Sequence, residues 1–254
     1  MRIASALLAL AYTVSVQAGQ CVAHSGPHTA ALVELYTSEG CSSCPPADRW
    51  LSSLARGYSA DRVVPLALHV DYWDYIGWKD PYAKRDFSIR QRKLTQLQRL
   101  ALVYTPQVML QGRDFRAWGS AAFDDAVAKI NARPARARLG LEIVALKSDA
   151  LVVRASAEVL EPGRQEDAAL YLAVYENRLE SRVTSGENGG RTLVHDHVVL
   201  EWHGPIAFPR SSLAAERQIP LLPKALPGNS GVVGFVQDRR SAEVLQALML
   251  PACP

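Results

Sequence analysis

The sequence is short of most features that would classify it at once. Its 254 residues carry 4 cysteines, few for a disulfide-dense scaffold, and there is no second Cys-x-x-Cys to pair with the first in a four-cysteine zinc site. A formal net charge of +3 gives no support to a strongly cationic nucleic-acid binder. Past the N-terminus no run is long and apolar enough to span a bilayer, which takes ~20 residues. Internal repeats and low-complexity tracts are also lacking. What remains is a globular composition: 48% hydrophobic residues exclude a disordered chain. The length suits one large domain or two modest ones.

The first residues address the compartment. Met1-Arg2 is a short cationic start, Leu7, Leu8 and Leu10 centre an apolar stretch, and Val16-Gln17-Ala18 offers a small-residue cleavage site. This is the pattern of a secretory signal over residues 1–18, cut after Ala18. The stretch is too short and too broken by Tyr12, Thr13 and Ser15 for a membrane span. The expectation is a periplasmic or secreted protein with no stable membrane insertion, its cysteines in an oxidising space.

The remaining chain changes rhythm near residue 135. Residues 29–131 alternate: a buried strand over 30–36, a helix through Asp48, Leu51 and Leu54, a strand over 63–70, and a helix opened by Asp80-Pro81. A short strand at 107–110, a hairpin partner and an amphipathic helix over 121–130 complete an α/β layer unit with a mixed sheet. Residues 132–138 are basic and lack apolar periodicity, as a linker does. Residues 139–254 then read as about seven short strands, parted by turns such as Glu161-Pro162-Gly163, and are expected to form an antiparallel β-sandwich serving recognition or docking.

Chemistry concentrates at Cys41-Ser42-Ser43-Cys44, between the first strand of that unit and its helix. A helix N-terminus offers unpaired amides and a partial positive charge, both of which stabilise a thiolate. Three residues on, Cys44 lies where it can form a disulfide with Cys41 or resolve a mixed one. The alternatives are a Cu(I) carrier, for which two thiolates suffice, and an inert structural bridge. Glu34 stands mid-strand among Leu32, Val33, Leu35 and Tyr36, where burial would raise its pKa unless a basic neighbour satisfies it. Tyr72 and Trp73 belong to an aromatic run that could wall a groove near Cys41 or cap the core. His195 and His197, spaced i and i+2 on a strand, could assist a metal, although no third ligand is evident. Cys21 and Cys253 stand near opposite ends of the chain; chain ends often lie close together, so a structural disulfide is expected.

Element order, motif position and Thr105-Pro106 resemble thioredoxin-like proteins. That resemblance implies a cis Pro106 which, with Thr105, shapes a substrate groove beside the disulfide, and it implies for Glu34 the role of moving the proton of Cys44. The runs at 33–48, 69–81, 90–92, 104–107 and 186–193 are similar to a secreted, thioredoxin-like bacterial family known as domain of unknown function 1223. Tyr36 and Glu39 stand where that family has phenylalanine and glutamine, and Glu39 adds an anion beside Cys41.

Together these readings give an α/β thioredoxin-like domain, a mixed sheet flanked by helices, followed by an all-β sandwich-like domain. The expected function is exported thiol–disulfide exchange, Cys41 attacking and Cys44 resolving, on protein or small thiols or with a redox partner protein. No cofactor is expected beyond the disulfide itself; Cu(I) enters only under the copper-handling alternative.

Overall fold

The computed structural model describes residues 21–147, 149–220 and 227–253; the expected signal peptide, residues 1–18, lies outside the described residues. In chain order, β1 (Cys21–His24) and β2 (Ala31–Thr37) lead to α1 (Pro45–Gly57). Next come β3 (Val63–His69), a 3-10 turn (Asp71–Ile76), α2 (Arg85–Leu97), β4 (Gln107–Leu110), β5 (Arg113–Asp114) and α3 (Ala121–Asn131). The rest is almost all strand: β6 (Ala137–Leu146), β7 (Ala150–Val159), β8 (Ala168–Glu176), β9 (Leu179–Arg182) and β10 (Thr192–His195). It closes with β11 (Val198–Ala207), β12 (Ser212–Pro220), β13 (Ser230–Asp238) and β14 (Val244–Pro251).

One eight-stranded sheet, in the order β14-β13-β8-β11-β3-β2-β4-β5, runs through the molecule. Every residue of β2, β3, β8 and β13 is buried, as suits strands covered on both faces. One face of this sheet packs on α2 through Leu32, Tyr36, Leu66, Phe87, Leu94 and Tyr171. The other face is shared. Over β2, β3 and β4 lie α1 and α3, joined to them through Val33, Leu35, Ala47, Leu51, Phe123 and Val127. Over β8 and β13 lies a four-stranded sheet, β1-β6-β7-β12, whose Leu139, Leu141 and Val153 meet Leu170, Leu172 and Val232.

The expected fold class is therefore corrected. An α/β thioredoxin-like domain beside a sandwich is not what the chain builds; among the described residues the fold is β-rich, fourteen strands against three α-helices. The overturning contact is β11 on β3: Val198 pairs with Ala67 in parallel, and the Ala67 amide donates to the His197 carbonyl at 2.8 Å. Strand β3 thus has no free edge, and strands from both sides of the stretch 132–138 form a single sheet. No local periodicity reports a pairing between residues so far apart in sequence.

Local signals fared unevenly. Helix α3 begins after Ser120, whose hydroxyl accepts from the Ala122 amide. Helix α2 starts at Arg85 rather than at Asp80-Pro81; the Asp80 carboxylate accepts from the Tyr82 amide, as a cap would, but also ties down Glu39 and His69, and only a turn follows it. No helix among the described residues is long and apolar enough to cross a membrane.

Candidate functional site

Strand β2 ends at Thr37, and Ser38, Glu39 and Gly40 carry the chain into Cys41-Ser42-Ser43-Cys44 at the head of α1. Cys44 is the residue capping that helix, with Pro45 and Pro46 filling the first turn, where a missing N–H costs little. Cys41 and Cys44 are joined in a disulfide, and the Cys44 amide donates to the Cys41 carbonyl at 3.2 Å. The Ser43 hydroxyl donates to Cys41 Sγ at 3.4 Å. Gly40 is needed for close approach: a Cβ there would stand 3.1 Å from Cβ of Trp73.

Neither sulfur is open to solvent. Cys41 is 1% and Cys44 0% exposed, although Ser42 and Ser43 are exposed. The cover is the loop 183–191, which connects β9 to β10. Asn188, itself fully buried, donates from Nδ2 to the carbonyls of Glu39 (2.8 Å) and Cys41 (3.0 Å). The Ser42 amide donates to Glu187 Oε2 at 2.9 Å, so a carboxylate of the chain's own occupies an amide ahead of the helix. That bond holds the Glu187 carboxyl below its ordinary range. Gly186, at φ +71°, seats the loop against Ile76 and Trp78, and the Ser185 hydroxyl donates to the Gly77 carbonyl.

Behind the turn lies a buried titratable cluster. Glu39 accepts from Trp78 Nε1 at 2.8 Å and from His195 Nε2 at 3.2 Å. Asp80 accepts from His69 Nδ1 at 2.7 Å and from the amides of Glu39 and Tyr82. The rings of His69 and His195 meet edge to face with centroids 4.9 Å apart. Burial works against charge on Asp80, yet His69 and the two amides outweigh it and keep this carboxyl below its ordinary range. Burial alone would lower the His69 pKa; Asp80, Asp48 and Glu39 reverse that and raise it.

Of the expected site residues, Cys41, Cys44, Trp73 and Thr105 come together. Trp73 packs on Gly40 and donates from Nε1 to Thr105 Oγ1 at 2.7 Å, and the Thr105–Pro106 peptide is cis. Tyr72 faces α2 instead and donates to Gln91 Oε1 at 3.1 Å. Cys21 and Cys253 form the second disulfide.

Glu34 is not brought to the disulfide. Its neighbours Val33 and Leu35 face α1, so alternation along β2 turns Glu34 to the opposite, α2-covered face. There it forms a bidentate pair with Arg90, Nε to Oε1 at 2.6 Å and Nη2 to Oε2 at 3.0 Å. It is a carboxylate satisfied by a basic neighbour. The two imidazoles also part company: β10 ends at His195, and His197, at φ +58°, turns towards Tyr175.

Sequence reasoning missed Asn188, Glu187, Asp48 and the role of His195 in this cluster. For Asp48 a signal existed, since it lies four residues from Cys44 in a helix. Asn188 and Glu187 fall in the family-like run 186–193, but nothing local said what they touch, because their contacts to residues 39–42 span well over a hundred residues.

Two solved structures share this fold. Protein AGR_C_4864 from Agrobacterium tumefaciens is 24% identical, with a TM-score of 0.66, covering 90% of this chain and 97% of that one. HBP35 of Porphyromonas gingivalis is 16% identical, with a TM-score of 0.67, covering 89% of this chain and 76% of that one. No curated protein matches the chain. The family described as "Protein of unknown function (DUF1223)" matches residues 32–237.

Proposed function

The chain belongs to the DUF1223 family, and we propose that it is an exported thiol–disulfide oxidoreductase working through Cys41 and Cys44. The observation that carries this reading is the placement of the Cys41–Cys44 disulfide at the start of α1. A thiolate released there is stabilised by the helix end, which makes it a good leaving group and a competent nucleophile. The aromatic wall of Trp73 with Thr105 and Pro106 beside that turn suits an extended substrate segment. Partners are protein thiols or disulfides, small thiols or a dedicated redox protein, met in the periplasm or outside the cell. Nucleic acid and a stably inserted membrane state have no part in it.

Exchange proceeds by attack of an incoming thiolate on Cys41 Sγ. The Cys41–Cys44 bond breaks, the electron pair leaves on Cys44, and a mixed disulfide forms at Cys41. Because Cys41 is sealed, the loop 183–191 must lift before that attack. The test is the potential of the Cys41–Cys44 couple together with a Cys44→Ser trap expressed in the oxidising compartment. A potential between roughly −120 and −270 mV, with partners caught covalently on Cys41, is the expected result. A potential far below that range marks a permanent bridge and removes the catalytic reading.

A further inference from the structure

The buried face of α1 carries a carboxyl group that the exchange reaction, as described so far, leaves without work. Cys44, Asp48 and Leu51 fall on one stripe of the helix, and all three are buried. Helical side chains lean towards the N-terminus, so Asp48 covers the turn that holds Cys44. Its own amide donates to the Cys44 carbonyl at 3.1 Å. Asp48 Oδ2 lies 3.9 Å from His195 Nδ1, within ion-pair reach. Its other oxygen, Oδ1, is buried and finds no hydrogen-bond partner among the described residues. Thr37 Oγ1, at the end of β2, faces the same carboxyl without completing a hydrogen bond.

A buried carboxylate oxygen without a donor is costly, and native structures keep few of them. The cost falls away when that oxygen carries or exchanges a proton. The groups around Asp48 supply the setting: His195 from β10, His69 from β3, Asp80 and Glu39 from the adjoining turns, and Cys44 on its own helix. Burial favours the protonated acid, and the pull of His195 and His69 in the opposite direction does not reverse it.

We propose that Asp48, held between Cys44 and His195, is the group that exchanges a proton with the Cys44 thiol, the part that sequence resemblance assigns to Glu34. The inference rests on the exchange reaction proposed above. In the reductive direction an external thiolate attacks Cys41 Sγ, and the Cys41–Cys44 bond breaks with its electron pair on Cys44. The carboxylic proton of Asp48 then passes to the Cys44 thiolate. In resolution the Asp48 carboxylate takes that proton back as Cys44 Sγ attacks Cys41 Sγ and expels the external thiolate. His195 acts as a positioning residue: its Nε2–H is fixed on Glu39, which aims Nδ1 at Asp48.

The test follows resolution directly. Reduced protein is reacted with an aromatic disulfide that places a chromophoric thiol on Cys41, and release of the second equivalent by Cys44 is timed across the pH range. Asp48→Asn is expected to slow release on the order of 100-fold where the carboxylate is ionised, leaving a profile set by the thiol alone. In a Cys41→Ser background, Asp48→Asn should also lower the pKa of Cys44, since a neighbouring carboxylate opposes the thiolate. A merely structural role would move neither the shape of the profile nor that titration. Wild-type exchange with an unaltered Asp48→Asn profile and an unmoved Cys44 pKa overturns this inference alone. A wild-type disulfide that resists thiols altogether overturns the exchange reading and the inference together.

Discussion

Asn188 donates a hydrogen bond to the carbonyl of Cys41 from 147 residues further along the chain. With its second bond, to the Glu39 carbonyl, it clamps the loop 183–191 over the disulfide. Asn188→Ala removes both bonds. At about 1 kcal/mol each, their loss shifts the balance towards the lifted loop by about 2 kcal/mol, roughly 30-fold in population. Reduction of Cys41–Cys44 by dithiothreitol should then quicken by more than tenfold. Equal rates in the two proteins would show that the loop is not the barrier.

On the other face of the central sheet, Glu34 and Arg90 form a buried bidentate pair, 0% and 10% exposed at the side chains. Arg90 also lies over the rings of Tyr171, Trp202 and Phe235 and donates to Gln237. Removing one partner strands the other charge. Glu34→Gln should cost about 3 kcal/mol, while a Glu34→Leu/Arg90→Met pair of similar volume should cost much less. Urea titrations of the three proteins check this. A double variant as unstable as the single one would mean that the pair itself, rather than the stranded charge, supplies the stability.

Glu34 also shows where sequence stops being informative. The Cys41/Cys44 motif, the strand before it and the helix after it are local, and their order was legible in spacing and caps. The face to which Glu34 points was not: β2 is apolar on both sides, so no alternation sets its phase. The same reason hid the fold. Strands β8 and β13 are apolar on both faces, Leu170, Leu172 and Val232 on one and Tyr171, Val233 and Phe235 on the other, because one face meets the four-stranded sheet and the other the layer with α2, a circumstance created by β11 pairing with β3. Asp48 was readable as a position, i+4 from Cys44, but its importance depends on His195, which only the tertiary fold delivers.

Cys21 and Cys253 tie an edge strand of the four-stranded sheet, β1, to the segment leaving β14, an edge strand of the eight-stranded one. The Cys253 amide also donates to Cys21 Sγ at 3.1 Å. A closed loop with a sequence separation of 232 removes much unfolded-state entropy, up to about 5 kcal/mol. A Cys21→Ala/Cys253→Ala variant should therefore unfold at distinctly lower urea, with Cys41–Cys44 intact. A loss below about 1 kcal/mol would remove this bridge from the list of structural supports.

His197 sets the acid side of stability. It is 6% exposed, its ring lies 5.7 Å from that of Tyr175, and Nδ1 has no hydrogen-bond partner among the described residues. Burial lowers its pKa from 6.5 to about 4, only weakly opposed by Asp196. In the interval between those values the unfolded chain binds a proton that the folded chain refuses. Stability from this group is therefore complete above pH 6.5 and is lost as pH falls towards 4, by about 3 kcal/mol in all. His203 is also lowered by burial and acts in the same sense, whereas the raised carboxyl of Asp48 acts in the opposite sense. The difference between wild type and His197→Asn isolates the one contribution, since asparagine tolerates the φ of +58° at this turn. Urea midpoints measured from pH 4 to 7 should fall more steeply for the wild type than for the variant. Parallel curves would show that the buried imidazole is not what the acid attacks.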